Sequence, residues 1–338
     1  MTSQRFESIH DLARLPWFEI GRDGELVADP AVAGAIDVHC HLAQGILGGE
    51  KERVRTGEGP IEEYLPYDGP FDMEPYANKN FTKARLSEMS RDLTVTTLGR
   101  SPIKSTHTLP NLRKRMQDLR MARSVILPIE LPVGPSATDF TLDVTKGCAE
   151  TICFGSVHPY RRSPEERVVS QALAGARGIK MHPAIQLVRP DAERAMRIYR
   201  ACAEQRLPLF FHCGPVDIEP RLGRYLSQVR HYEKAVAENP KTTFVLGHAG
   251  ALQFEEGVAL ARRYENVWLD LASQGLPAIR RIFERADHGR ILWGTDWPFY
   301  HQAMGLAKVL IATEEDASLR ARVLHGNARA LLGLPAAS

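Results

Sequence analysis

No stretch of the 338-residue sequence approaches the run of about 20 apolar residues that spans a bilayer, and the opening residues (MTSQRFESIHDLARLPW) lack the basic–apolar–small order of a secretory signal. A membrane anchor is therefore not expected, and a cytoplasmic location is. Cysteine is scarce: Cys40, Cys148, Cys153, Cys202 and Cys213 are odd in number, scattered, and form no CxxC pair. That pattern excludes a disulfide framework or a thiolate zinc site and leaves reduced, buried thiols. Neither sign of charge dominates, with 43 Lys plus Arg against 41 Asp plus Glu, so nothing suggests a nucleic-acid or membrane-surface partner. Also missing are a GxGxxG after a strand, a GxxxxGKS/T and a GxSxG. Dinucleotide binding, nucleoside triphosphate binding and serine hydrolysis lose their usual signatures.

What is present is an ordinary globular balance, 43% hydrophobic and 25% charged, arranged with a rhythm. From residue 124 onward, short apolar runs alternate with helical patterns. The runs are SVILPIEL (124–131), TICFGSVHP (151–159), ARGIKMHP (176–183), LPLFFHCG (207–214), TTFVLGHAG (242–250), NVWLDLAS (266–273) and ILWGTDWP (291–298). With AIDVHCHLA (35–43) they number eight. Eight strand–helix units predict a (β/α)8 TIM barrel, with a doubly wound open sheet as the rival. Residues 1–34 form a preface, and 35–338 a single barrel domain. Within it, 43–110 breaks the rhythm with a Gly-, Pro- and Tyr-rich stretch. An insertion after the first strand lies at the catalytic face, where it serves either as a lid or pocket wall, or as a surface elaboration or dimer contact.

The polar residues cluster at the strand ends. Simple alternation places Asp37, His39 and His41 on one face of the first strand and Val38 and Cys40 on the other. Cys40 is then a packing residue. Two imidazoles two residues apart can reach one cation, but a lone HxH is common by chance. His212 closes the fifth strand, His248 the sixth and Asp296 the eighth, and a barrel brings these ends to one mouth. A divalent metal site is the reading that accounts for all five.

The order D-x-H-x-H, then His, His and GTDWP, with the closing LHGNARALLGL (324–334), resembles the amidohydrolase superfamily. The branch it is most similar to includes aminocarboxymuconate-semialdehyde decarboxylase and related lactone- and amide-opening hydrolases. The resemblance spans most of 35–334 and is weakest in the insertion. It implies that His39, His41, His212 and Asp296 ligate the metal, with zinc expected. Asp296 would also act as general base, and His248 would polarise the substrate or the water. Zinc lowers the pKa of bound water from about 15.7 to about 7, which gives such a set its hydrolytic power. Lys180 and His182 share a face of the fourth strand. They therefore enter the lumen together or not at all. Lys180 is either a carboxylated bridge to a second metal or an interior ion-pair or substrate contact, and His182 is a pocket residue if the pair enters.

Asp270 has a structural or a catalytic reading. His158 reads as a loop residue, and Trp297 and Phe299 as packing or pocket wall. Arg161, Arg162, Arg189, Arg221 and Arg224 are solvated loop charges that could clamp a carboxylate. The leading expectation is hydrolysis of an amide, lactone or similar bond in a small polar molecule. The alternatives are decarboxylation of an aromatic or unsaturated acid, and a barrel that binds a ligand without catalysis. A small-molecule substrate is the expected partner. Dimers are common in the resembling branch, so a homodimer is the assembly it implies.

Overall fold

The eight apolar runs become strands because they are short, mostly rich in β-branched and aromatic residues, and bounded by turn formers. The structure, a computed structural model, describes residues 4–43, 51–95 and 103–335. Two parts of the expected insertion, 44–50 and 96–102, lie outside the described residues. So do 1–3 of the expected preface and 336–338 of the expected barrel. The barrel strands are β1 (Ile36–Cys40), β2 (Arg123–Ile126), β3 (Thr151–Cys153, continued past Phe154 as Gly155–Ser156), β4 (Ile179–Met181), β5 (Leu209–His212), β6 (Phe244–Gly247), β7 (Val267–Asp270) and β8 (Ile291–Leu292). Helices follow them in turn: α1 (Leu109–Asp118), α2 (Ala137–Val144), α3 (Pro164–Leu173), α4 (Glu193–Glu204), α5 (Glu233–Glu238), α6 (Phe254–Arg263), α7 (Leu276–Arg285) and α8 (Gln302–Ala312).

Neighbouring strands pair in parallel in the order β1 to β8. The ring closes through a parallel bridge between Cys40 and Trp297, supported by the backbone bond from His41 N to Trp297 O at 2.8 Å. The fold is a (β/α)8 barrel, and the open-sheet rival is excluded by that closure. Ile36, Val38, Val125, Leu127, Ile152, Phe154, Phe210, Val245 and Leu292 form one buried cluster. Residues drawn from strands all round a closed barrel can meet only inside it, so this cluster is the lumen packing.

That cluster corrects the alternation expected for β1. Val38 points into the lumen and Asp37 does not. Asp37 accepts from Gln302 Nε2 of α8 at 2.7 Å, from Cys40 Sγ at 3.0 Å and from Thr295 N at 3.0 Å, outside the ring. The reason is a β-bulge. Ile36 and Asp37 face Arg123 and Ser124 of β2, but Cys40 faces Ile126, so three steps on β1 match two on β2. One extra residue shifts the phase, and the side chains beyond it turn to the opposite face. Val38 therefore shares the lumen with His39, and Cys40 stays outside among the helices, buried.

The described part of the insertion is a fixed strap. Met73 and Ala77 are buried, Ala77 N bonds Ser273 O at 2.8 Å beyond β7, and Asn78 Nδ2 bonds Val216 O at 2.6 Å beyond β5. Tyr64 N and Leu65 N bond the carbonyls of Pro298 and Phe299 beyond β8. Hydrogen bonds to three separate loops, two of them backbone to backbone and one from the Asn78 side chain, hold it across the mouth on one side.

Candidate metal centre

Above the apolar lumen layer, the bulge delivers His39 to the centre of the mouth, and its exposure is only 1%. The Nδ1 of His39 lies 2.8 Å from Asp270 Oδ2, and the Nδ1 of His41 lies 2.8 Å from Leu127 O. The Leu127 carbonyl can only accept, which places the ring proton of His41 on Nδ1, and Asp270 in its carboxylate form does the same for His39. The Nε2 atoms then carry the lone pairs, that of His39 facing Lys180 Nζ as well, and they converge: Asp296 Oδ1 stands 3.5 Å from His39 Nε2 and 3.4 Å from His41 Nε2. Donors held about 2.0–2.2 Å from one tetrahedral cation are themselves about 3.4 Å apart. These three residues could hold a divalent ion with little movement.

His212 lies beside this group of three. Its Nε2 is buried with no hydrogen-bond partner among the described residues, and its ring lies 4.9 Å from that of His248. An orphaned buried nitrogen costs about 1–3 kcal/mol unless something fills its lone pair, and a cation would do so. Burial, reinforced by the charge of Lys180, pushes His39 far below the ordinary imidazole value. Burial, with His182 beside it, does the same to His212. Both rings are neutral, the form that binds metal. The chemistry of this donor set fits one divalent cation.

His248 comes from the turn after β6, where it, Ala249, Gly250 and Ala251 all have positive φ. For non-glycine residues that conformation is costly and must be held. Gln274 Nε2 holds it, donating to the carbonyls of His248 at 2.6 Å and Ala251 at 2.9 Å. The Nδ1 of His248 donates to Ala272 O at 3.3 Å, so its Nε2 is an acceptor, and burial pushes its pKa down to about 4. The ring centroids of His39 and His248 are 4.8 Å apart.

Lys180 enters the lumen from β4. Its Nζ is 3.4 Å from His39 Nε2 and 4.6 Å from the centroid of Phe210, over the ring face. Burial pushes its pKa down to about 8, against the pull of Asp296 and Asp270. His182 sits at the rim, stacked on His212 at 4.0 Å, with its Nδ1 accepting from Ile185 N at 3.4 Å. Lys180 and His182 thus do reach one pocket together.

The arginines do not converge on it. Arg161 pairs with Glu130, Arg189 with Asp191 and Arg224 with Asp217, while Arg162 and Arg221 are exposed. His158 is buried with its Nδ1 accepting from Tyr160 N, a turn contact. Trp297 is fully buried and packs on His107. Phe299 is only partly covered, its ring 6.4 Å from that of His41. Tyr76 of the strap, Val216 and Ile218 of the loop after β5 and Ala251 of the turn after β6 pack together in a small apolar cluster. Tyr76 was invisible to sequence reasoning because nothing in the insertion announces which segment folds back.

A family model described as Amidohydrolase matches residues 150–334, just over half of the chain. No curated protein matches the sequence. Among solved structures, the chain is similar to 5-carboxyvanillate decarboxylase from Novosphingobium aromaticivorans, described with manganese and 4-hydroxy-3-methoxy-5-nitrobenzoic acid. That likeness has a TM-score of 0.62 at 15% identity and covers 91% of this chain and 98% of the other. It is also similar to 2,6-dihydroxybenzoate decarboxylase from Rhizobium, at TM-score 0.58 and 14% identity, covering 89% and 99%. A third structure, described as a probable 2-pyrone-4,6-dicarboxylic acid hydrolase from Acinetobacter baumannii, gives TM-score 0.57 at 10% identity, covering 89% and 100%. At these identities the likenesses speak to the fold.

Proposed function

The chain belongs to the amidohydrolase family, and from that premise we propose that it is a metal-dependent lyase that decarboxylates an aromatic or unsaturated carboxylic acid. This reverses the order expected from the sequence, where hydrolysis led. The observation that carries it is Lys180: a buried ammonium 3.4 Å from His39 Nε2, inside the donor cluster and beside aromatic walls. A cation there binds an anionic group, and the partly covered Phe299, its ring 6.4 Å from that of His41, suits a flat apolar ring. Two of the similar solved structures are of decarboxylases of aromatic acids.

In this reading His39, His41, His212 and Asp296 hold the cation, with Lys180 left as an amine and not as a carboxylated bridge to a second ion. Zinc is the first candidate for a site of three imidazoles and one carboxylate. A divalent cation bound there supplies positive charge that orients the acid's oxygens and offsets charge developing in the transition state. Lys180 Nζ anchors the carboxylate that will leave. His248 Nε2, an acceptor because its Nδ1 donates to Ala272 O, orients a neighbouring hydroxyl of the substrate by accepting its hydrogen bond. Asp296 delivers a proton to the ring carbon that bears the carboxylate. The carbon–carbon bond then breaks, its electron pair returns to the ring, CO2 leaves, and Asp296 regains a proton from solvent.

A second reading is hydrolysis. Asp296 Oδ1, within 3.5 Å of both imidazoles, is also placed to take a proton from water attacking a lactone or amide. A panel of hydroxybenzoic acids, unsaturated acids, lactones and amides separates the two. With carboxyl-labelled acids in D2O, decarboxylation releases labelled CO2 and puts one deuterium on the vacated carbon. Incorporation of 18O from water with no CO2 would overturn the lyase reading in favour of hydrolysis.

A further inference from the structure

Asp270 has no part in the reaction just described, yet it is the most heavily committed carboxylate at the mouth. It closes β7 with no exposure. Its Oδ2 accepts from His39 Nδ1 at 2.8 Å and from the backbone N of His248 at 3.1 Å. Its Oδ1 accepts from Ala272 N at 3.1 Å. One oxygen therefore serves a side chain of β1 and the main chain of β6, two elements that the barrel places on different sides of β7. We infer that Asp270 is the positioning residue that aims His39 at the cation and fixes His248 beside it.

Two consequences of the geometry support this over a role as barrel filler. The proton that Asp270 holds on Nδ1 of His39 leaves Nε2 as the only lone pair, and that nitrogen faces Asp296 and His41. The opposite tautomer would present N–H to the cation. Second, His248 has φ +58°, a conformation that no regular structure supplies, and its N–H is tied to the same Oδ2. The neighbouring strand makes room for this: a Cβ at Gly294 would stand 2.2 Å from Asp270 Oδ1 and 2.7 Å from His39 Cβ. His39, His248 and Asp270 also lie close enough to hold an ion themselves. The 2.8 Å contact from His39 Nδ1 is a hydrogen-bond distance, however, and an ion between those atoms would have to displace the proton.

The inference rests on the proposed ligand role of His39, and its test separates the two. Zinc affinity is measured by competition with a chromophoric chelator for wild type, Asp270→Asn, His39→Ala and the double variant, together with the absorption spectrum of the cobalt-loaded forms. Loss of an orienting partner of a metal-bound histidine costs about 10–100-fold in affinity. Asp270→Asn should lose that much and shift the cobalt bands, while adding little in the His39→Ala background. Wild-type affinity and spectrum in Asp270→Asn, with only a lowered melting temperature, would overturn the inference and leave the ligand assignment standing. So would additive losses in the double variant. A wild type that binds no zinc removes the ligand role and the inference with it, as does a second equivalent of zinc that is lost on Asp270→Asn. If Asn at 270 does not fold, the wild type decides. In zinc-loaded, 15N-histidine-labelled protein, the Nδ1 proton of His39 should exchange slowly, and rapid exchange there would overturn the assignment.

Discussion

Replacing Gly294 with Ala puts a methyl group into the one gap that the Asp270 arrangement requires. The built Cβ stands 2.2 Å from Asp270 Oδ1, 2.7 Å from His39 Cβ and 3.2 Å from Asp270 Cγ. An ordinary carbon–oxygen contact is over 3 Å, so the carboxylate or strand β8 must retreat by about 1 Å. Overpacking of this kind costs about 1–3 kcal/mol, and a hydrogen bond that is stretched out of range adds about 0.5–1.5 kcal/mol. With partial relaxation we expect a loss of about 3 kcal/mol. Unfolding entropy scales at about 2.1 cal/mol/K per residue, which for 338 residues is roughly 0.7 kcal/mol/K, so the melting temperature should fall by about 4 °C. Gly294 does not have positive φ, so no backbone strain adds to this. Differential scanning calorimetry of Gly294→Ala, with Gly69→Ala as the control whose nearest contact is 3.7 Å, makes the measurement. A melting temperature within 1 °C of the control would refute the close packing of β8 on Asp270.

Burial with no bonded carboxylate among the described residues should make Lys308 a source of pH-dependent stability. Its Nζ donates to Gln274 O at 2.9 Å, and burial pushes its pKa from 10.5 down to about 7. Between those values the unfolded chain holds a proton that the folded chain does not, so this contribution rises with pH across the window. Urea denaturation at pH 7 and pH 9 should show that rise, and Lys308→Met should reduce it, leaving the smaller part that Lys180, lowered to about 8, contributes with the same sign. Arg115, 3% exposed, lies between Glu63 at 3.2 Å and Glu25 at 3.0 Å. Arg115→Met strands the buried Glu63 and should cost about 3–5 kcal/mol, while adding Glu63→Leu should restore much of it in thermal melts. Of the five thiols only Cys148 is partly exposed, and burial pushes Cys153 up to about 12. A maleimide should modify one thiol per native chain promptly and all five in denaturant.

The sequence by itself determined the eight-strand barrel, because each strand carries its own apolar run and turn residues. It also determined that His39, His41, His212, His248 and Asp296 meet, because parallel strands of one barrel must end at one mouth. What alternation could not reach was the bulge between Asp37 and Cys40. A bulge is set by register with the partner strand β2, and local sequence carries no record of that register. It moved Asp37 outside and brought Val38 to the same side as His39. Asp270 was visible as a polar strand end, but its value lies in an oxygen shared by residues 39 and 248, distant in sequence and joined only by closure of the ring. The strap and Tyr76 belong to the same class, since an insertion without periodicity finds its place through the loops it bonds. Position along a strand was local and legible; the contacts that aim each side chain are long-range, and only tertiary structure decided them.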